Sequence, residues 1–195
     1  DHSYFQMTYR DTVGTGVWHE DTISSVDSNG VYLDMIWNRT AVGGPNGETL
    51  HMIGVTAPVA NNGVLYNGLD GALLYYRSQD AGVTWDIQDM QLPTIDTSLF
   101  TGFRGDSYTI KAEGEIVCIA SFGEWSDTFI MKSTDNGDTW TKTIVLDFPV
   151  DKYATDDGID LDNDGAMDTL YSTDGSGALL LDNNGMAHVF AGNMR

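Results

Sequence analysis

The chain has 195 residues, with 29 Asp and Glu against 9 Lys and Arg, and a formal net charge of −20. So few cations exclude a nucleic-acid partner, because a phosphate backbone is gripped by clustered Lys and Arg, and they disfavour anionic lipid for the same reason. No apolar run reaches the length of a membrane span, so no membrane insertion is expected.

The text is that of a β protein. It carries 22 Gly and 4 Pro, and its apolar residues fall in short runs between glycine turns, with no stretch of helical period long enough to compete. Six hairpins are predicted in chain order, near 4–24, 40–56, 72–92, 107–121, 128–146 and 177–191. The first passes through Tyr9 and Arg10 and returns at Trp18. The second, fourth and sixth turn at Gly47, Gly114 and Gly185. The third and fifth close on SQDAGVTW (78–85) and STDNGDTW (133–140), the same S-x-D-x-G-x-T-W pattern twice. In such a turn the Ser hydroxyl and Asp carboxylate accept hydrogen bonds from backbone N–H groups, and Gly82 or Gly137 supplies a positive φ. The Thr-Trp pair then opens the return strand. Setting Tyr9-Arg10 on Tyr76-Arg77 brings Trp18 onto Trp85, so the first hairpin reads as a decayed copy without the Ser and Asp.

The glycine-turn hairpins alternate with the octapeptide hairpins, which makes each successive pair one four-stranded unit. The paired octapeptides resemble the Asp-box, or BNR repeat, of the sialidase-like superfamily. That resemblance implies an all-β fold, a β-propeller of four-stranded antiparallel blades, with residues 1–195 forming a single propeller domain or part of one. Three blade equivalents fall short of the 4 to 8 that propellers use. The chain also opens on strand-like text and ends inside a hairpin, so an incomplete ring or a segment of a larger propeller is expected.

Residues 151–176 read as an insertion between the fifth and sixth hairpins, and residues 160–168 within it spell D-x-D-x-D-G-x-x-D. Carboxylates at alternate positions of a turn converge on one point, and glycine at the sixth position permits the bend. By that logic Asp160, Asp162 and Asp164 bind calcium through their side chains, Ala166 through its carbonyl, and Asp168 directly or through water. Tyr171 stands at the twelfth position instead of a bidentate Glu and neither flank reads as helix, which argues against a helix-loop-helix EF-hand. The loop is similar instead to the calcium loops of integrin-type propeller repeats and thrombospondin type 3 repeats. The alternative is a solvated acidic turn, but four aspartates in nine residues repel one another without a counter-charge. Calcium is therefore the expected cofactor, in a structural role.

The sialidase resemblance also implies an arginine triad, a Tyr-Glu nucleophile pair and an Asp acid. The arginines on offer are Arg10, Arg39, Arg77, Arg104 and Arg195. Arg10 and Arg77 adjoin the turns, which lie opposite the substrate face in that family, and Phe103-Arg104 is followed by Gly105-Asp106 where the family has Ile-Pro. No catalytic residue is assigned. Asp34, Asp70, Asp106 and Asp127 are loop acids whose spacing singles out no pair. The expected function is a secreted or cell-surface, non-catalytic binding or scaffold module for a protein or glycan ligand. The alternative is a segment of a glycoside hydrolase, sialidase-like or xyloglucanase-like.

Other features weigh less. Arg104-Gly105-Asp106 matches the integrin-binding tripeptide, a match short enough to arise by chance. Cys118 lies in an apolar run and predicts a buried thiol. His2, His19, His51 and His188 show no metal-ligand spacing. Trp37, Trp125 and Tyr66 lie near loops, where they serve either packing or stacking on a sugar.

Overall fold

The computed structural model describes residues 4–154 and 158–195. Residues 1–3, which include His2, and residues 155–157 of the expected insertion lie outside the described residues. Strands β1 (Tyr4–Thr12) and β2 (Thr15–Ser24) form an antiparallel hairpin. Next come two four-stranded antiparallel meanders: β3 (Met35–Gly43), β4 (Thr49–Thr56), β5 (Leu73–Ser78) and β6 (Ile87–Gln91), then β7 (Tyr108–Glu113), β8 (Ile116–Ser121), β9 (Thr128–Ser133) and β10 (Thr141–Leu146). A second hairpin, β11 (Ser172–Leu181) and β12 (Ala187–Met194), ends the chain. The one helical element among the described residues is a 3-10 turn at Val59–Asn61. The chain is thus all-β, with its complete sheets built of four antiparallel strands.

Burial explains why the middle strands read as continuous apolar runs. β4, β5, β8 and β9 lie inside their sheets and are buried along almost their whole length, so both faces of each strand need apolar residues. Ile53, Leu74, Val117, Ile119 and Phe129 anchor the main core, each contributing roughly 1.5–3 kcal/mol. The four sheets stand in a row in chain order, with β1 against β3, β3 against β7 and β7 against β11. Cys118, Ala120, Phe122 and Leu179 close the last gap. Burial pushes the Cys118 thiol up, so it packs as a small apolar group.

The two octapeptide turns share their Ser, Asp and Thr hydrogen bonds, and differ at the tryptophan, where Trp140 Nε1 donates to Gly137 O at 3.0 Å and Trp85 Nε1 has no partner. Ser78 Oγ donates to Asp80 Oδ1 at 2.9 Å and accepts from Gly82 N at 2.8 Å; Ser133 Oγ repeats this with Asp135 Oδ1 at 2.7 Å and Gly137 N at 2.8 Å. Asp80 accepts from the Thr84 amide and hydroxyl, and Asp135 from those of Thr139. Ala81-Gly82 and Asn136-Gly137 both take left-handed φ, at 58° and 93° and at 58° and 91°. A side chain at Gly137 would also run into the Tyr75 hydroxyl of the preceding sheet. Each turn hangs from the first turn of its own sheet, Ala81 N donating to Glu48 O at 3.0 Å and Asn136 N to Glu115 O at 2.8 Å.

These rigid turns clamp neighbouring sheets together. Arg77, the residue before Ser78, is only 6% exposed at its side chain. Its guanidinium binds Asp86 in its own sheet at 2.6 Å, then reaches the next sheet's turn at Asn136 O (2.8 Å) and Asp138 Oδ1 (2.6 Å). Lys132, at the same place before Ser133, donates to Gly185 O in the following hairpin at 2.6 Å. Backbones meet directly beside these clamps: Gly44 N donates to Gly114 O at 2.6 Å, and a Cβ on Gly43 would lie 2.8 Å from that same oxygen. Trp140 stands edge-on to Tyr75 with ring centroids 5.0 Å apart, and the Tyr75 hydroxyl bonds His51 Nδ1 at 2.7 Å.

Removing the buried cation leaves the buried Asn136 carbonyl without its donor and empties the space under the neighbouring turn, while Asp138, 64% exposed, returns to solvent. Arg77→Ala should lower the unfolding free energy by roughly 2–4 kcal/mol, read as a lower urea midpoint at unchanged slope, while Lys132→Ala, with one bond at stake, loses less. An equal loss in the two variants would contradict the clamp.

Acid should weaken the fold in two windows. Burial lowers the His51 pKa from 6.5 to about 4, so the unfolded chain takes up the proton first and stability falls as pH drops from about 6.5 towards 4, by roughly 3 kcal/mol in all. Hydrogen bonds from Thr139 hold Asp135 at about 2, so its contribution is complete above its ordinary value of 3.8 and disappears as pH falls through 2. His51→Gln should flatten the upper window and leave the lower one, as followed by thermal melts across pH.

Candidate functional site

The strand ends opposite the turns carry the long loops, at 57–72, 92–107, 122–127 and, among the described residues, 147–154 and 158–171. A cleft of about 440 Å³ opens among them between the two four-stranded sheets. Its apolar floor is Phe100, whose ring centroid lies 5.1 Å from Phe103 and 5.4 Å from Phe129. One rim is held by a short ladder in which Asp70 N donates to Thr101 O and Phe103 N to Gly71 O, both at 2.8 Å. Gly102 is required there, because a Cβ would run into the Asp70 carbonyl. The Asp70 carboxylate accepts from Val59 N at 2.7 Å, which fixes its position.

The other rim is built on Trp125. Its backbone is left-handed, at φ 57°, a conformation that costs a bulky residue on the order of 1–3 kcal/mol. The surroundings impose it: Trp125 N donates to Ser172 Oγ at 2.9 Å, and the hydroxyls of Ser172 and Thr173 both donate to Gly123 O at 3.0 Å. The indole meets Phe148 and Tyr153, with centroids 6.1 and 5.8 Å away. Asp70, Glu124, Arg104 and Lys152 bring both signs of charge to the lining, beside the hydroxyls of Ser107 and Ser126. An aromatic wall beside paired donors and acceptors suits a polar ligand with one flat apolar face.

Of the residues singled out in the sequence, Asp70, Arg104 and Trp125 come together here. The others do not. Asp106 pairs with Arg39 at 3.2 Å, buried Asp127 accepts from Phe148 N at 3.1 Å, and Asp34 offers its carbonyl to Ala57 N. The Trp37 carbonyl accepts from the Tyr108 hydroxyl at 2.6 Å, and the Tyr66 hydroxyl donates to Asp89 O at 3.1 Å. Arg10 stacks on Trp18 at 4.2 Å, and Arg104 is the one arginine in the cleft lining among the described residues. His19 faces Asp11 at 3.0 Å and His188 faces Asp182 at 3.4 Å. Glu124, Lys152 and Tyr153 carried no signal in the sequence, because each belongs to a loop whose partners lie on other loops.

The aspartate loop lies apart from the cleft lining. Carboxylate oxygens of Asp160, Asp162 and Asp168 lie within 4.8 Å of one another. Asp160 accepts from the amides of Asp164 and Gly165, and Asp168 Oδ2 from Leu161 N at 2.6 Å. Asn163 and Gly165, with φ of 59° and 88°, fold the loop back on itself. Asp164 sits differently: its carboxylate accepts from Ala166 N at 2.7 Å and stands outside the group of three. The donors that converge are all oxygen, a set suited to a hard cation such as Ca²⁺. Neither a protein-family model nor a curated protein matches the chain.

Proposed function

We propose that the chain contributes blades to an Asp-box β-propeller of the sialidase-like kind and acts as a secreted or cell-surface, non-catalytic binding or scaffold module. The observation that carries this reading is the pair of matched turns, each closing a four-stranded meander and each tied to its neighbour, with the long loops left free at the opposite end. The cleft on those loops receives the ligand, a protein or a glycan, with Trp125 as the stacking surface and Asp70, Glu124, Arg104 and Lys152 as its polar contacts. The ligand is tested directly by titrating oligosaccharides and following Trp fluorescence. Trp125→Asn, which removes the ring but keeps a residue tolerant of left-handed φ, should weaken binding about tenfold, in line with the loss of one stacking contact.

One observation favours a second reading. Asp70 and Glu124 place two carboxylates in the same aromatic cleft, the equipment of a glycoside hydrolase, sialidase-like or xyloglucanase-like. A hydrolysis screen with sialyl and β-glucan substrates separates the two: turnover abolished by Asp70→Asn or Glu124→Gln would replace the binding module with an enzyme.

Calcium on the 160–168 loop stabilises the module. Asp160, Asp162 and Asp168 hold the ion through carboxylates, and the Ala166 carbonyl adds a further oxygen. Because an ion that binds only the folded state stabilises it by mass action, chelation should lower the melting temperature by a few degrees. Asp162→Ala should melt at the chelated value and no longer respond to chelator; an unchanged response would remove calcium from the account.

A further inference from the structure

A second cavity, of about 270 Å³, lies on the far side of the first four-stranded sheet, between it and the β1–β2 hairpin. Two close approaches frame it. The Phe5 ring rests where a Cβ on Gly54 would collide with it, and Met7 Sδ and Leu50 Cδ1 lie 2.8 Å and 3.2 Å from the place a Cβ on Gly82 would take. The ladder pairs Thr40 with Met52 and Val42 with Leu50, so these four side chains share one face of the sheet. Trp85 completes that wall, and no Asp, Glu, Lys or Arg joins the lining among the described residues.

The sister junction shows what such a wall holds. Between the two complete sheets, Trp140 stands edge-on to Tyr75 and its Nε1 donates to Gly137 O at 3.0 Å. Trp85 occupies the same place in its own turn, yet its Nε1 is buried with no acceptor and no ring pairs with it among the described residues. A buried N–H left without an acceptor is costly. Thr40 departs from its counterpart as well. The octapeptides align Tyr76 with Met131, whose ladder partners are Met52 and Ile119, and these pair in turn with Thr40 and Ile110. Ile110 is 2% exposed and belongs to the core, whereas Thr40 is exposed, and its shorter side chain keeps the cavity open.

We propose that this cavity binds a small neutral aromatic molecule with one hydrogen-bond acceptor, a phenol or an aryl ketone, its ring against Trp85 as Tyr75 lies against Trp140 and its oxygen accepting from Trp85 Nε1. Each part of that description has a source in the walls. The thioethers of Met7 and Met52 and the rings of Phe5 and Trp85 favour a flat, polarizable body. The lone buried donor selects an acceptor. An uncharged lining leaves a buried ion of either sign uncompensated. The volume lies just under the range of drug-sized sites, which limits the ligand to one or two rings. The site shares no lining residue with the loop-end cleft and does not rest on the propeller reading.

The probes are 4-methylphenol and toluene, which share a ring and a methyl group and differ by the oxygen. Calorimetric titration of the wild-type chain should show 4-methylphenol binding about tenfold more tightly than toluene, in line with one hydrogen bond to a buried donor, and the phenol should raise the melting temperature. Trp85→Phe, which keeps a ring and removes the N–H, should bring the two affinities together. Thr40→Ile, which copies the side chain of Ile110 in the second sheet, should fill the cavity and weaken both probes about tenfold or more. Trp125→Asn should leave both affinities unchanged, so loss of oligosaccharide binding and loss of 4-methylphenol binding report on separate sites. Binding of neither probe to the wild type would make the cavity a hydrated void, equal binding of the two would leave Nε1 out of the site, and full binding by Thr40→Ile would put the ligand elsewhere. Each of these overturns the proposal.

Discussion

A guanidinium cannot be buried alone, and the arrangement of the sheets follows from meeting that requirement at Arg77. Its position at the end of β5 puts it under the next sheet, where solvent cannot satisfy its donors. Asp86 answers from the same sheet, but the remaining donors need a carbonyl and a carboxylate held at fixed points on the neighbour. A flexible turn would not keep them there. The Ser133 and Asp135 side chains stiffen the turn from within, so that Asn136 and Asp138 present themselves to the neighbouring sheet. Local hydrogen bonding therefore decides long-range geometry.

The same division of labour separates the two ends of the molecule. At the turn end, backbone meets backbone and polar groups are consumed by one another, which leaves little for a ligand. At the loop end, Trp125 is held in a strained conformation by Ser172 and packed by Phe148 and Tyr153. The net charge sharpens this contrast. Of nine cationic residues, Arg77 and Lys132 are committed inside the clamps, while Arg104 and Lys152 remain at the cleft.

The all-β class and the hairpins of the four-stranded sheets were legible in the sequence, for a physical reason. Hairpins are written locally: Gly114 between two apolar runs, or Ser and Asp spaced to cap their own turn, determine a structure from fewer than ten residues. The start of β3 at Met35, five residues before the hairpin predicted from 40, was missed because Met35-Ile36-Trp37-Asn38-Arg39 lacks a clean alternation and Trp37 interrupts it with a left-handed φ. The cleft was legible only in part. Asp70, Arg104 and Trp125 announced themselves as loop acid, arginine and aromatic, but nothing in the text links them to Glu124 or Lys152, which reach the cleft from other loops. The sequence places Arg77 beside its own turn; its clamping role depends on the following sheet's turn, 59 positions away at Asn136. In the aspartate loop, alternation brought Asp160, Asp162 and Asp168 together, whereas Asp164 follows the nearest amide, at Ala166.

Each sheet is wound from consecutive strands and touches chiefly the sheets before and after it in the chain. Such an arrangement behaves as a one-dimensional array, in which free energy is a sum of unit terms and nearest-neighbour couplings. Folding can start in either complete meander and spread to its neighbours. Cooperativity then becomes a property of the junctions. Where Gly43 at the end of β3 meets Ala112 of β7 and the Gly114 carbonyl, the absence of one side chain lets the two complete sheets touch closely enough to be coupled in melting.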